Sequence, residues 1–404
     1  MRRTALPSPR LAVFIVFVFN GAVFGSWAAR VPALASQVGA GEGTLGLALL
    51  GASIGLALTA PFAARLCAAF GARRVVLVSG VASALVLPLL ALTATPVHLG
   101  LVLFLLGSSI AALDVSMNIA AVGVLRELDR PLMPQFHAGF SFGGLIGSIG
   151  AALAAAASWS PLPHFLVASA VGLLVLLLVH RRVPGESGER DREVAVGPQP
   201  TVLRRPVLWL LAGVAFCSAI AEGASADWSA LFLVRERGMG EAAAAVAYAV
   251  FSITMALARL SGEPVQRRWG PYRLLVGGAV VASVGLTAAV LVPVPASGYV
   301  GFALAGLGLA FAFPVIMDLA GEAGRRADGT GGERELGLVT TIAYTGFLAG
   351  PPIVGGLAHL SSLTVSLGVV ALVCALMVPT VWFAARSRAR ELAARRPESV
   401  PARP

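Results

Sequence analysis

The chain has 404 residues, is 57% hydrophobic and only 12% charged, and its mean hydropathy is +0.85. Soluble domains carry about 25% charged residues, so a water-soluble globular protein is excluded. The net charge of +10 rests on arginine alone, because the sequence contains no lysine; a P-loop ATPase engine and Schiff-base chemistry within this chain are thereby excluded too.

The apolar residues fall in long runs, and runs of 18 or more predict helices that cross a bilayer and satisfy their own backbone there. The short alternating segments of a membrane barrel are missing. In chain order the predicted spans cover residues 11–31, 44–66, 75–94, 97–124, 135–157 and 164–180. The basic start, 1–10, leads into an uncleaved first span rather than a signal peptide. A polar stretch, 181–205, contains GESGERDREV and is too charged to span, so it reads as a cytosolic linker. Six further spans are predicted at 206–231, 241–260, 272–292, 298–319, 336–357 and 363–385, and a basic cytosolic tail at 386–404. The fold class is an all-α membrane protein of twelve transmembrane helices.

Arginine placement sets the expected orientation. Arg65, Arg73, Arg74, Arg126, Arg181, Arg204, Arg268 and others fall in loops on one side, together with both termini. The other side has only Arg30, Arg235 and Arg237. The termini and linker are therefore expected in the cytosol, with the chain in the bacterial inner membrane. The halves also echo one another. Asn20-Gly21-Ala22 matches Glu222-Gly223-Ala224, Phe70-Gly71 matches Trp269-Gly270, and Gly143 and Gly147 match Gly346 and Gly350, at near-constant offsets. Two six-helix bundles, 1–180 and 206–385, are the reading, arranged as the parallel repeats of an alternating-access transporter.

The loops after the second and eighth spans, ARLCAAFGARR and ARLSGEPVQRRWGPYR, resemble the signature of the major facilitator superfamily. Gly71, Arg73 and Arg74 fit the first copy, where Ala68 replaces the expected acid. The second copy keeps Arg259, Gly262, Glu263, Arg268 and Gly270. The resemblance implies that these residues brace helices on the cytosolic side, and Asp318 is read as a further bracing group. The stretches NGAVFGSWAARVPAL, ALDVSMN, FHAGFSFGGL, EGASADWSALFL and TGFLAGPP look like a poorly characterised bacterial branch that includes rhizopine-locus membrane proteins and lies near the sugar permeases. That resemblance covers the whole chain and implies a small polar solute, sugar- or cyclitol-like.

Polar groups inside spans cost free energy and so point to function or to a bonded partner. Asn20 and Trp27 share a face of the first span and are expected to line a polar cavity. Asp114 and Asn118 share a face of the fourth; a carboxylate there is either paired or able to carry a proton, and Asn118 would bond the substrate. Glu222, mid-span in the seventh, is expected in the same cavity, whereas Asp227 points roughly 140° away and is expected to pair with Arg30 as an extracellular gate. His137, with an ordinary pKa of about 6.5, is a candidate titrating group. Gly139, Gly143 and Gly147 form a four-residue ladder, repeated by Gly346 and Gly350. Such ladders admit close helix contact, here expected between the two moving halves.

Cys67, Cys217 and Cys374 read as small buried hydrophobes. Neither metal spacing nor an HExxH motif occurs, so no enzyme, metal or cofactor is expected. The expected partners are a small-molecule substrate, the lipid bilayer and protons, with no nucleic acid, for a monomer. The leading expectation is a proton-linked secondary transporter. An efflux antiporter for amphipathic compounds is the first alternative, although aromatics reach only 7%. A non-transporting receptor or assembly factor is the second.

Overall fold

The computed structural model describes residues 8–128, 133–185, 204–324 and 332–394. Most of the predicted linker and the end of the predicted tail lie outside that set. Among the described residues, twelve helices are long and apolar enough to cross a membrane. They are Pro9–Ala28, Glu42–Phe70, Ala72–Leu92, Pro96–Leu125, Gln135–Ala156, Pro161–Arg182, Pro206–Arg237, Glu241–Leu260, Pro271–Leu291, Pro295–Gly324, Arg334–Leu360 and Leu363–Ala393, called spans 1 to 12. This is a multi-pass integral membrane protein.

Each half packs by one scheme. Spans 1 and 5, 2 and 4, 3 and 4, and 3 and 6 meet in the first half. Spans 7 and 11, 8 and 10, 9 and 10, and 9 and 12 meet in the second. The halves touch mainly through two equivalent pairs, span 5 with span 8 and span 2 with span 11. The loops after spans 2 and 8 turn at the same kind of residue: Gly71 has φ +83° and Gly270 φ +78°, values a Cβ would disfavour.

Two expectations change. Span 12 runs on through residues read as tail, as a helix to Ala394. Its extra turns are held by polar contacts that hydropathy cannot register. The Arg386 guanidinium lies 3.4 Å from the Trp382 ring centroid, and Glu391 accepts from Arg205 at 2.7 Å. The glycine ladders, in turn, do not join the halves. A Cβ on Gly143 would enter the backbone of Val18 and Ala22 in span 1, one on Gly147 that of Ala22 and Ser26, and one on Gly139 the Phe14 ring. Gly346 packs on Phe216 and Ala219 of span 7, and Gly350 beside Ile220. These ladders weld helices within a bundle, where no hydrophobic effect drives association and close van der Waals contact must serve.

Other small residues make the cross-bundle contacts. Gly46 meets Pro351 and Gly355, Gly43 meets His359, and Gly144 lies beside Tyr248 and Ser252. Pro351 has no N–H for the carbonyl of Phe347, one turn back. Ser53 of span 2 donates to that carbonyl at 3.0 Å, so the opposite bundle supplies the missing donor.

The two ends of the molecule differ. At the end remote from the termini, spans 2 and 11 are in backbone contact, and Ala29, Ala151 and Ala245 close a small core between spans 5 and 8. Toward the termini, span 2 buries only Ala63 and Cys67 beyond residue 56, and the first half of span 11 buries little besides Val339 and Ala343. Spans 2 and 11 thus meet at the remote end and flank an opening at the other.

Candidate functional site

A polar centre lies between the bundles at mid-membrane. Asp114 of span 4 is half-buried, its carboxylate has no hydrogen bond or ion pair among the described residues, and it lies within electrostatic range of Tyr344 on span 11. Asn118, one turn on, donates its amide to the Asp114 backbone carbonyl at 2.9 Å. Across the cleft, Tyr248 of span 8 lies beside Ser252 and within electrostatic range of Glu222, Asp227 and Arg259. Asp227 is half-buried and likewise unpaired among the described residues. Glu222 and Asp227, expected on separate faces, therefore share the Tyr248 neighbourhood.

Arg259 differs most from expectation. It does not brace a surface loop. Its helix carries it inward, where it ion-pairs with Glu222 at 3.4 Å, donates to Ser141 of span 5 at 3.2 Å and reaches the Ala310 carbonyl at 3.4 Å. One guanidinium thus ties span 8 to span 7 of its own bundle and to span 5 of the other, using the fork geometry that suits arginine to several oxygens at once. His137 lies on the same side, in electrostatic range of Arg259 and edge-on to Phe17 at 5.5 Å.

Asn20 and Trp27 do not line an open surface. Asn20 is completely buried, with its amide 3.7 Å from the Met117 sulfur of span 4 and its carbonyl oxygen unpartnered. Trp27 packs edge-on against Phe24 at 5.3 Å, and its indole N–H has no acceptor. Phe24 extends the aromatic group to Phe140 and, across the bundles, to Tyr248 at 6.0 Å. Tyr248 and Tyr344 carry one signal in the sequence, a tyrosine inside an apolar span.

The Arg30–Asp227 pair is not formed. Arg30 is buried, donates to the Trp159 carbonyl at 2.6 Å and lies 3.5 Å from Glu241 at the start of span 8. Glu241 is the acid that opens the next helix at the same end of the molecule, so it meets Arg30 where Asp227, set deeper in span 7, does not. Of the bracing residues, Arg73 donates to the Val183 carbonyl at 2.6 Å, tying the start of span 3 to the chain after span 6. Arg74, Arg268 and Asp318 are exposed. The Glu263 side chain lies outside the described set.

Two Gly-x-Ser-x-Gly stretches occur in the chain, at 51–55 and 139–143. Both lie in mid-helix. The nucleophile elbow needs a strand-to-helix turn, and neither serine has one. No group of three potential metal ligands exists among the described residues.

Residues 12–332 match the Major Facilitator Superfamily. The chain is 34% identical over 366 residues to an uncharacterised MFS-type transporter of Yersinia pestis, covering 90% of this chain and 92% of that one. It is 30% identical over 360 residues to the membrane protein MosC of Rhizobium meliloti, covering 86% and 83%. Among solved structures, a mutant of the nucleoside transporter NupG superposes with TM-score 0.76 at 12% identity, covering 93% of this chain and all of that one. A bacterial homologue of the lysosomal transporter Spinster, inward-facing and unoccupied, gives 0.73 at 15% identity, covering 98% of each. The family and the fold are those of transporters, not enzymes, and on the strength of the match across most of its length this chain belongs to the major facilitator superfamily.

Proposed function

We propose that the chain is a proton-coupled secondary transporter that moves a small polar solute by alternating access, as a monomer in the bacterial inner membrane with its termini and linker in the cytosol. One observation carries the reading. Two carboxylates, Asp114 and Asp227, stand at membrane depth between the bundles without a cationic partner among the described residues, where an unneutralised charge is costly and a bound proton or solute relieves it. Asn118, Tyr248 and Tyr344 provide hydrogen-bonding groups around them. The arginine bias supports the orientation, which makes the open end cytosolic and the state inward-facing. An efflux antiporter draws support from the aromatic group of Phe24, Phe140 and Tyr248, which would suit a flat amphipathic solute.

The test is uptake of a panel of radiolabelled polar solutes and amphipathic compounds into proteoliposomes, with and without a pH gradient. Gradient-driven accumulation of a polar solute is expected, and Asp114→Asn should abolish the gradient dependence while exchange at equal pH persists. Coupling that survives in Asp114→Asn and equally in Asp227→Asn would overturn the assignment of the proton to these acids.

A further inference from the structure

At the end remote from the termini, two ion pairs cross from one bundle to the other, and they mirror each other. Arg30, in the turn after span 1, faces Glu241 at 3.5 Å. Arg235, near the end of span 7, faces Glu42 at 2.8 Å and also reaches the Ala40 carbonyl at 3.4 Å. Span 7 is the repeat equivalent of span 1, and span 8 of span 2. Each bundle therefore gives one arginine from the end of its first helix and takes one from its partner on the glutamate that opens its second. Both glutamates occupy the first turn of a helix that follows a glycine, Gly41 or Gly240, where the helix dipole favours a negative charge and holds the carboxylate in place. Arg30 is itself fixed from behind by the Trp159 carbonyl.

We propose that these two reciprocal pairs form a symmetric clasp that holds the remote end shut, and that releasing both is the step that opens the central site to that side. This rests on the alternating-access reading. The location supports it: directly beneath the pairs lie the core of Ala29, Ala151 and Ala245 and the Gly46–Gly355 contact, the seal that must part for the far side to open. Ladders inside each bundle keep the bundles rigid, so the pairs load a single hinge-like separation rather than a local loop. Two pairs that close the same gap add, and neither bundle loses an internal contact when they break.

The experiment needs no solute. In a chain carrying Cys67→Ala, Cys217→Ala and Cys374→Ala, a single thiol is placed in the seal by Ala245→Cys. The full-length protein, in sealed proteoliposomes with the remote end outward, is then labelled from outside with a membrane-impermeant maleimide. Slow labelling is expected in this parent. Labelling about tenfold faster is expected when Glu42→Gln and Glu241→Gln are combined, each partly exposed pair contributing roughly threefold. Arg235→Glu alone should accelerate labelling, and adding Glu42→Arg should restore the parent rate. A parent-like rate in the double glutamine chain, or a charge swap no slower than Arg235→Glu alone, overturns the clasp. If Arg235→Glu fails to give a monodisperse protein, the near-isosteric glutamine pair decides. Failure of the transport reading shows elsewhere, as absence of uptake for every solute, while labelling would still respond.

Discussion

Gly46 offers the sharpest test of where the two halves meet. A Cβ on this residue would stand 2.7 Å from the Pro351 carbonyl oxygen and 3.0 Å from the Gly355 Cα, against comfortable separations of about 3.5 Å or more. Both neighbours are backbone, so no rotamer change relieves the overlap, and spans 2 and 11 must part by roughly half an ångström. Overpacking of this kind costs about 1–3 kcal/mol. That shifts the balance between closed and open remote ends by roughly 5- to 150-fold. The assay is a pulsed electron-resonance distance between spin labels at Leu92→Cys and Leu360→Cys, exposed positions at that end on opposite bundles, in the chain without native cysteines. The parent should give one short distance, and Gly46→Ala should add a longer one. The melting temperature should barely change, because the clash lies between bundles and not within one. An unchanged distance distribution in Gly46→Ala, or even in Gly46→Val, would refute the assignment of this contact to a separable seal.

Two further outcomes follow from contacts of the opposite kind. Gly143→Ala drives a Cβ into the backbone of span 1, including the Ala22 nitrogen at 2.9 Å, and should cost about 1–3 kcal/mol of bundle stability, read as a fall in melting temperature and loss of monodisperse protein; unaltered melting would show that the ladder is not a weld. Arg259→Met strands the Glu222 carboxylate. Breaking a fully buried pair costs about 3–5 kcal/mol, a figure discounted here to roughly 1–2 because Glu222 is 24% and Arg259 14% exposed. Adding Glu222→Gln should recover most of the loss in thermal unfolding, and a strictly additive double variant would show that the pair is not coupled.

The twelve spans and the two-bundle plan were legible because they follow from local quantities, the length and hydropathy of each run and the spacing of landmarks between halves. The identity of a contact is not local. Gly143 and Gly46 are both small residues on membrane helices, yet one meets a helix of its own bundle and the other a helix of the partner. Four-residue spacing is the same in both cases. Arg259 reads as part of a cytosolic brace because a loop signature contains it, but it occupies the last turn of span 8 and its long side chain reaches inward. Arg30 meets Glu241 and not Asp227 because Asp227 sits deeper in span 7 than its place toward the outer end suggests, while Glu241 opens the neighbouring helix at the level of Arg30. Asp114 and Asn118 stand out in the sequence because a charge in an apolar helix is conspicuous. Tyr248 and Tyr344 do not, because an apolar ring hides their hydroxyls in any hydropathy average.

The Arg259 guanidinium divides its bonds unequally between the bundles. Glu222 and the Ala310 carbonyl belong to its own bundle, and the Ser141 hydroxyl to the other. Span 5 can therefore leave span 8 by breaking one neutral hydrogen bond, while the arginine stays tethered to an acid and a carbonyl on its own side, its fixed charge never left uncompensated.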